Sequence, residues 1–227
     1  MAKRGGTKHL KSLVAPATFN IDRKKMVWVQ RQLPGPHNLR NSIPLSLSIK
    51  MARFAKTMKE VKKILSSRAV KVDGKIITEP KHPIGLMDVL SIAGKHFRIL
   101  LNRKNQIFLE ETENFNKKVC KIISKKRTKK GKIQFILHDG KTLLDYKGKR
   151  GDSVLISLPD YKPIQEITLG VGSKCFVSGG KYIGSYATIK KITEGTAMRK
   201  AEVECDINGE NHITLKSYII PIADNSI

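Results

Sequence analysis

The stretch Thr57-Met58-Lys59-Glu60-Val61-Lys62-Lys63-Ile64-Leu65-Ser66-Ser67-Arg68-Ala69-Val70-Lys71-Val72-Asp73-Gly74-Lys75-Ile76-Ile77 changes its apolar period from helical to alternating partway along. Thr57 and Glu60 have the spacing of a capping box, in which hydroxyl and carboxylate satisfy opposite orphan amides at a helix start. Val61, Ile64 and Leu65 then form one apolar stripe, and Lys59, Lys62 and Lys63 point elsewhere. After Ser66 and Ser67 the runs Val70-Lys71-Val72 and Lys75-Ile76-Ile77 flank Asp73-Gly74, a strong hairpin signal because both turn residues need positive φ. Upstream, Pro44 suits the first turn of a second helix carrying Leu45, Ile49 and Met51. Residues 43–95 therefore read as a helix pair with a hairpin, dotted with Arg53, Lys56, Arg68, Lys71 and Lys75.

That basic wedge sits in a basic chain. The 227 residues hold 44 Lys+Arg against 19 Asp+Glu, a net charge of +25. Such a field repels itself in a compact state and calls for a polyanion, which few small-molecule enzymes need. Residues 1–42 hold +8, 43–95 +7, 96–170 +9 and 171–227 only +1. The last quarter cannot rely on bulk charge for what it recognises. Hydrophobic residues at 40% suffice for a core. No apolar run reaches the roughly 18 residues of a membrane span, and no signal-peptide core follows the basic start. Cys120, Cys175 and Cys205 are odd in number and far apart, against a disulfide framework or a zinc ribbon and in favour of a reducing compartment.

Residues 1–42 read as a basic arm broken by Gly5, Gly6, Pro16, Pro34, Gly35 and Pro36, with Val27-Trp28-Val29 as the part that packs. Residues 96–170 read as a succession of short strands, Phe97–Leu101, Ile107–Leu109, Lys132–Leu137, Thr142–Tyr146 and Val154–Leu158, forming a small barrel or sandwich. Between Lys117 and Lys132 nine basic residues occur without an acid, among them Lys125, Lys126, Arg127, Lys129 and Lys130. A loop of that density contacts phosphates without reading sequence, and is also compatible with a nuclear-import signal. His138-Asp139 reads as a hairpin corner rather than a catalytic pair. In 171–227, Val177-Ser178-Gly179-Gly180-Lys181-Tyr182-Ile183-Gly184 lacks the Gly-Lys-Ser/Thr ending and following helix of a nucleotide loop. Ala201–Ile207 alternates as a half-buried strand, which makes Cys205, like Cys175, a core residue.

Several short motifs in order carry a resemblance. Lys8-His9-Leu10-Lys11, Gly35-Pro36-His37 with Leu39 and Arg40, the helix pair, Val72-Asp73-Gly74-Lys75 and Gly85-Leu86-Met87-Asp88-Val89-Leu90-Ser91-Ile92 resemble the small-subunit ribosomal protein family numbered four in archaea and eukaryotes, the "e" type. The segment from Cys175 to Gly184 resembles the Kyrpides-Ouzounis-Woese motif, a strand, glycine loop and strand in a five-stranded barrel.

The resemblance spans about Lys8 to Ile222 and implies an α+β, mostly β chain. Its parts are the basic N-terminal arm (1–42), a two-helix-plus-hairpin RNA-binding module (43–95), a central small β-barrel-like domain (96–170) and a C-terminal Src-homology-three-like barrel (171–227). It implies a structural constituent of the small ribosomal subunit that binds and helps fold ribosomal RNA, lies beside other small-subunit proteins, and needs no cofactor, membrane or small-molecule substrate. A cytoplasmic ribosomal location follows, nucleolar during assembly in a eukaryote. Eukaryotic members continue into a basic C-terminal helix beyond the point where this sequence ends at Ile227, so archaeal and eukaryotic origins both stay open. The alternatives are a free RNA-binding translation or transcription factor with the same modules, and an RNA-modifying or tRNA-charging enzyme, for which no spaced carboxylates, Cys/His cluster or nucleotide fingerprint is present.

The expected phosphate contacts are Arg53, Lys56, Lys59, Lys62, Lys63, Arg68, Lys71 and Lys75 on the wedge. Lys8, His9, Lys11, His37 and Arg40 add to them from the arm. Lys125, Lys126, Arg127, Lys129 and Lys130 belong to the basic run, and Gly180, Lys181 and Gly184 to the glycine loop, where a ribose-phosphate chain would approach closely.

Overall fold

The structure is a computed structural model that describes residues 8–128, 131–144 and 146–223. Two helices form as the sequence implies. Helix α1 spans Leu45–Met51 behind Pro44. Helix α2 spans Met58–Ser66, with the reciprocal Thr57–Glu60 capping box in place. Val61 and Leu65 of its apolar stripe are buried, and Lys59, Lys62, Lys63 and Ser66 lie on the opposite, exposed side.

The hairpin Val70–Val72 and Lys75–Ile76 turns through Asp73 and Gly74, both with positive φ. It belongs to a five-stranded antiparallel sheet continued by Val89–Ile92, Lys95–Leu101 and Ile107–Glu111. Strand Lys95–Leu101 thus runs across the expected 95/96 boundary, and residues to Glu111 share the sheet and core of the helix pair. The turn between Ile92 and Lys95 is Ala93-Gly94, with Ala93 at φ 48°. Alanine is an unusual residue for that conformation, which is why the sequence hides this turn.

The central sheet orders Thr142–Leu144, Ile133–Leu137, Lys117–Arg127, Ser153–Ser157 and Pro163–Ile167. Its spine is the 11-residue strand Lys117–Arg127, pairing Ser153–Ser157 along its first half and Ile133–Leu137 along its second. A register shift between Ile122 and Ser124 divides the halves and bends the strand. The expected basic loop over 117–132 is therefore a correction: most of it is the middle strand of a sheet. Val119, Cys120 and Ile122 are interior residues, and burying them requires the backbone to be paired.

The C-terminal sheet orders Glu210–Leu215, Glu202–Ile207, Tyr186–Thr193, Lys174–Val177 and Ile219–Pro221. Cys175 and Cys205 lie in its core, and all three cysteines are buried and free. Both sheets are open five-stranded half-barrels rather than closed barrels.

The arm packs through Leu10, Ala15 and Phe19, which join the main core, whereas Trp28 stays half exposed. Its anchor is backbone: Ile107 N–H donates to the Thr18 carbonyl, and Leu10–Lys11 pairs with Trp28–Val29.

Candidate nucleic-acid interface

Both helices of the pair end on an arginine in left-handed backbone. Arg53 N–H donates to the Lys50 carbonyl and Phe54 N–H to that of Ile49, a Schellman closure with Arg53 as the left-handed residue at φ 62°. After α2, Arg68 takes φ 57° and donates to Leu65. Glycine is the residue that relieves this conformation, and a side chain there costs about 1 kcal/mol. Two exposed guanidinium groups are kept where glycine would be more stable, at the ends of the helices that flank the lysine face.

On α2, Lys59, Lys62 and Lys63 are exposed and recur at helical spacing. Lys71 projects from its strand between buried Val70 and Val72. Among the described residues, none of Arg53, Lys59, Lys62, Lys63, Arg68 or Lys71 has a carboxylate partner. Lys56 is exposed at the start of α2, where its backbone N–H donates to Glu60 Oε2 at 2.7 Å. Lys75 lies over the Tyr161 ring, 4.8 Å from its centroid, because the Asp73-Gly74 turn docks on the central sheet. A Cβ on Gly74 would lie 2.8 Å from Pro159 Cβ.

The arm gathers His9 and Lys11 around the exposed Trp28, with ring centroids 5.1 Å apart for His9 and the Lys11 amine 5.8 Å from the indole. Lys8 and Arg40 are exposed. Lys125, Lys126 and Arg127 are exposed at the end of the long central strand, while Lys129 and Lys130 lie outside the described residues. Lys181 is exposed over Tyr182, and Gly180 takes φ +87° beside the Tyr218 ring. At Gly184 the closely approaching group is the chain's own backbone: a Cβ there would lie 2.5 Å from the Leu101 carbonyl oxygen.

His37 is another correction. It is buried, with Nε2 2.8 Å from Asp88 Oδ2, and its ring fills the space a Cβ on Gly85 would need. It belongs to an interior charge network that sequence reading missed. Lys118 is fully buried and its amine donates to Asp73 (2.8 Å), Asp88 (2.5 Å) and Asp139 (3.0 Å). Lys141 also reaches Asp73 at 2.8 Å and sits over the Tyr161 ring. Asp73 Oδ1 accepts from Val89 N–H and Asp88 Oδ2 from Gly85 N–H.

Burial opposes ionisation of Asp88, yet His37 and Lys118 hold its carboxyl well below the usual range. Burial likewise works against the Lys118 ammonium, and the aspartates outweigh it, raising its pKa well above 10.5. Asp139 is lowered to about 2 against its burial, chiefly by Lys118. His138 accepts from Lys121 N–H at Nδ1 and faces the Leu86 carbonyl with Nε2. Burial and Lys118 push it down to about 4, so it is neutral. The network ties the arm, the helix-hairpin module and the central sheet together, and the α2 lysines lie outside it.

The sequence matches the family described as "Ribosomal family S4e" over residues 93–162, the "RS4NT (NUC023) domain" over 4–40 and the "S4 domain" over 45–90. It is 36% identical to the small ribosomal subunit protein eS4 of Methanocaldococcus jannaschii, covering 99% of this chain and 97% of that one. It is 34% identical to eS4 of Methanococcus vannielii, over 99% and 98%. The crystal structure of the 30S ribosomal protein S4e from Thermoplasma acidophilum superposes with a TM-score of 0.71 at 29% identity, covering 82% of this chain and 96% of that one. With full-length relatives above 30% identity and an S4 domain on the helix pair that carries the unpaired lysines, this chain belongs to the eS4 family of small-subunit ribosomal proteins.

Proposed function

We propose that the chain is a resident of the small ribosomal subunit that neutralises and positions phosphates of ribosomal RNA. A ribosomal protein of this family is not an enzyme. The observation that carries the reading is the α2 face: Lys59, Lys62 and Lys63, free of carboxylates and bracketed by two arginines in left-handed backbone. Phosphate contacts of this kind fix register on a structured RNA by shape and charge without reading bases. Lys8, His9, Lys11, Arg40, Lys71, Lys125, Lys126 and Arg127 extend the surface; Trp28 between His9 and Lys11 supplies a ring for stacking on a base.

The loop between Lys174–Val177 and Tyr186–Thr193 is the part of the C-terminal sheet suited to a Kyrpides-Ouzounis-Woese role. Gly180 and the exposed Lys181 support RNA contact there, while Gly184 serves docking on Leu101. The low net charge of 171–227 favours neighbouring small-subunit proteins as further partners. The work place is the cytoplasmic ribosome, with nucleolar passage if the source is a eukaryote. No helix among the described residues is long and apolar enough to cross a membrane.

Sedimentation of a cell lysate tests the assignment. The protein is expected to co-migrate with small subunits at low salt. Recovery only at the top of the gradient would instead identify a free RNA-binding factor.

A further inference from the structure

A cleft of about 1100 Å³ opens where the arm, the long central strand and the C-terminal sheet meet, away from the α2 face. Among the described residues, no aspartate or glutamate lines it. Lys121, a buried side chain, donates its amine to the Lys216 and Ser217 carbonyls at 3.2 and 2.7 Å. Burial and the nearby Arg150 and Lys216 cations lower its pKa to about 8. Lys216 turns its amine to Glu194. Lys121, Arg150 and Lys200 have no carboxylate partner among the described residues. A chain that crowds three cations into one concavity and supplies no anion leaves the counter-charge to a ligand.

The remaining wall is suited to a base. The Tyr218 ring is held against Gly179, where a Cβ would come within 2.6 Å of it, and it stays 37% exposed. Asn38 and Asn41 line the same space from the arm side. We propose that this cleft seats an unpaired nucleotide of the bound RNA, its phosphate among Lys121, Arg150 and Lys200 and its base against Tyr218. The inference rests on the ribosomal RNA reading above and adds a second, single-stranded contact to the helical one. A concavity of this size receives one or two nucleotides and excludes a duplex, and unpaired bases are what proteins hold by stacking and edge hydrogen bonds.

The test uses the full chain and small-subunit ribosomal RNA carrying 4-thiouridine. Arg150→Gln with Lys200→Gln removes two cleft charges. Lys95→Gln with Lys190→Gln removes two charges paired elsewhere with Glu111 and Asp206, and so controls for net charge. The cleft pair is expected to weaken binding about tenfold more than the control pair, and Tyr218→Leu about tenfold through the absence of stacking. Photo-cross-links are expected on the peptide holding Tyr218 or on Ser178–Gly180.

Equal weakening in both pairs with no cross-link at the cleft overturns the proposal, as does an amine-reactive cross-linker joining the cleft lysines to a neighbouring protein in intact subunits. A triple variant Lys59→Gln, Lys62→Gln, Lys63→Gln separates the two readings. If it loses affinity while the cleft pair matches the control, only the cleft proposal falls. If neither variant weakens binding, the ribosomal RNA reading falls too.

Discussion

Replacing Lys118 with methionine keeps the length of the side chain and removes its charge, stranding Asp73, Asp88 and Asp139 in the interior. All three carboxylates lie within 3.0 Å of the amine. Breaking a buried ion pair from one side costs about 3–5 kcal/mol, because the partner stays desolvated without its counter-charge. Lys141 remains 2.8 Å from Asp73, and His37 2.8 Å from Asp88, so the lower end applies, about 3 kcal/mol. With a urea m-value of about 2–3 kcal/mol/M, the unfolding midpoint falls by about 1–1.5 M. Urea titration followed by circular dichroism measures this. Adding Asp139→Asn to Lys118→Met removes one stranded charge and recovers part of the stability. A Lys118→Met midpoint equal to that of the unmodified chain would refute the claim that this lysine joins the module to the central sheet.

The same network sets an acid limit. His138 is neutral when folded, with its pKa lowered to about 4 from 6.5, so between those values the unfolded chain binds the extra proton and stability falls as pH falls. Below about 4, protonation of Asp88 and Asp139, both lowered in the fold, removes more; thermal unfolding scans from pH 7 to 3 are expected to show a continuous decline in Tm. Arg53→Gly and Arg68→Gly are each expected to raise stability by up to about 1 kcal/mol by relieving left-handed backbone while weakening RNA binding. Parallel melts and binding titrations read both, and binding unchanged in either variant would make that arginine structural.

What the sequence reveals of this molecule is what acts over a few residues. The Thr57–Glu60 box, the Asp73-Gly74 turn and the alternation of Ala201–Ile207 are each written in residues a few positions apart, and each stands in the structure where the residues imply. Lys118 was hidden because its partners lie at 73, 88 and 139, and a buried lysine among lysines looks like one more solvated charge. The interleaved Val119, Cys120 and Ile122 were the available signal that this run is a strand. His37 misled similarly, since the aspartate that holds it is 51 positions away in sequence. Ala93-Gly94 concealed a hairpin by using a residue that rarely takes positive φ. On α2 helical spacing alone separates the exposed lysines from the core, whereas in the glycine loop Gly184 faces the protein itself.

Contact between the α2 face and RNA is read from the slope of log K against log salt for small-subunit ribosomal RNA, compared between the unmodified chain and the Lys59→Gln, Lys62→Gln, Lys63→Gln variant. Each phosphate left without its lysine makes the slope shallower by about 0.7–0.9, so three lysines on phosphates predict a slope shallower by about 2–3. An unchanged slope would contradict the assignment of this face to RNA.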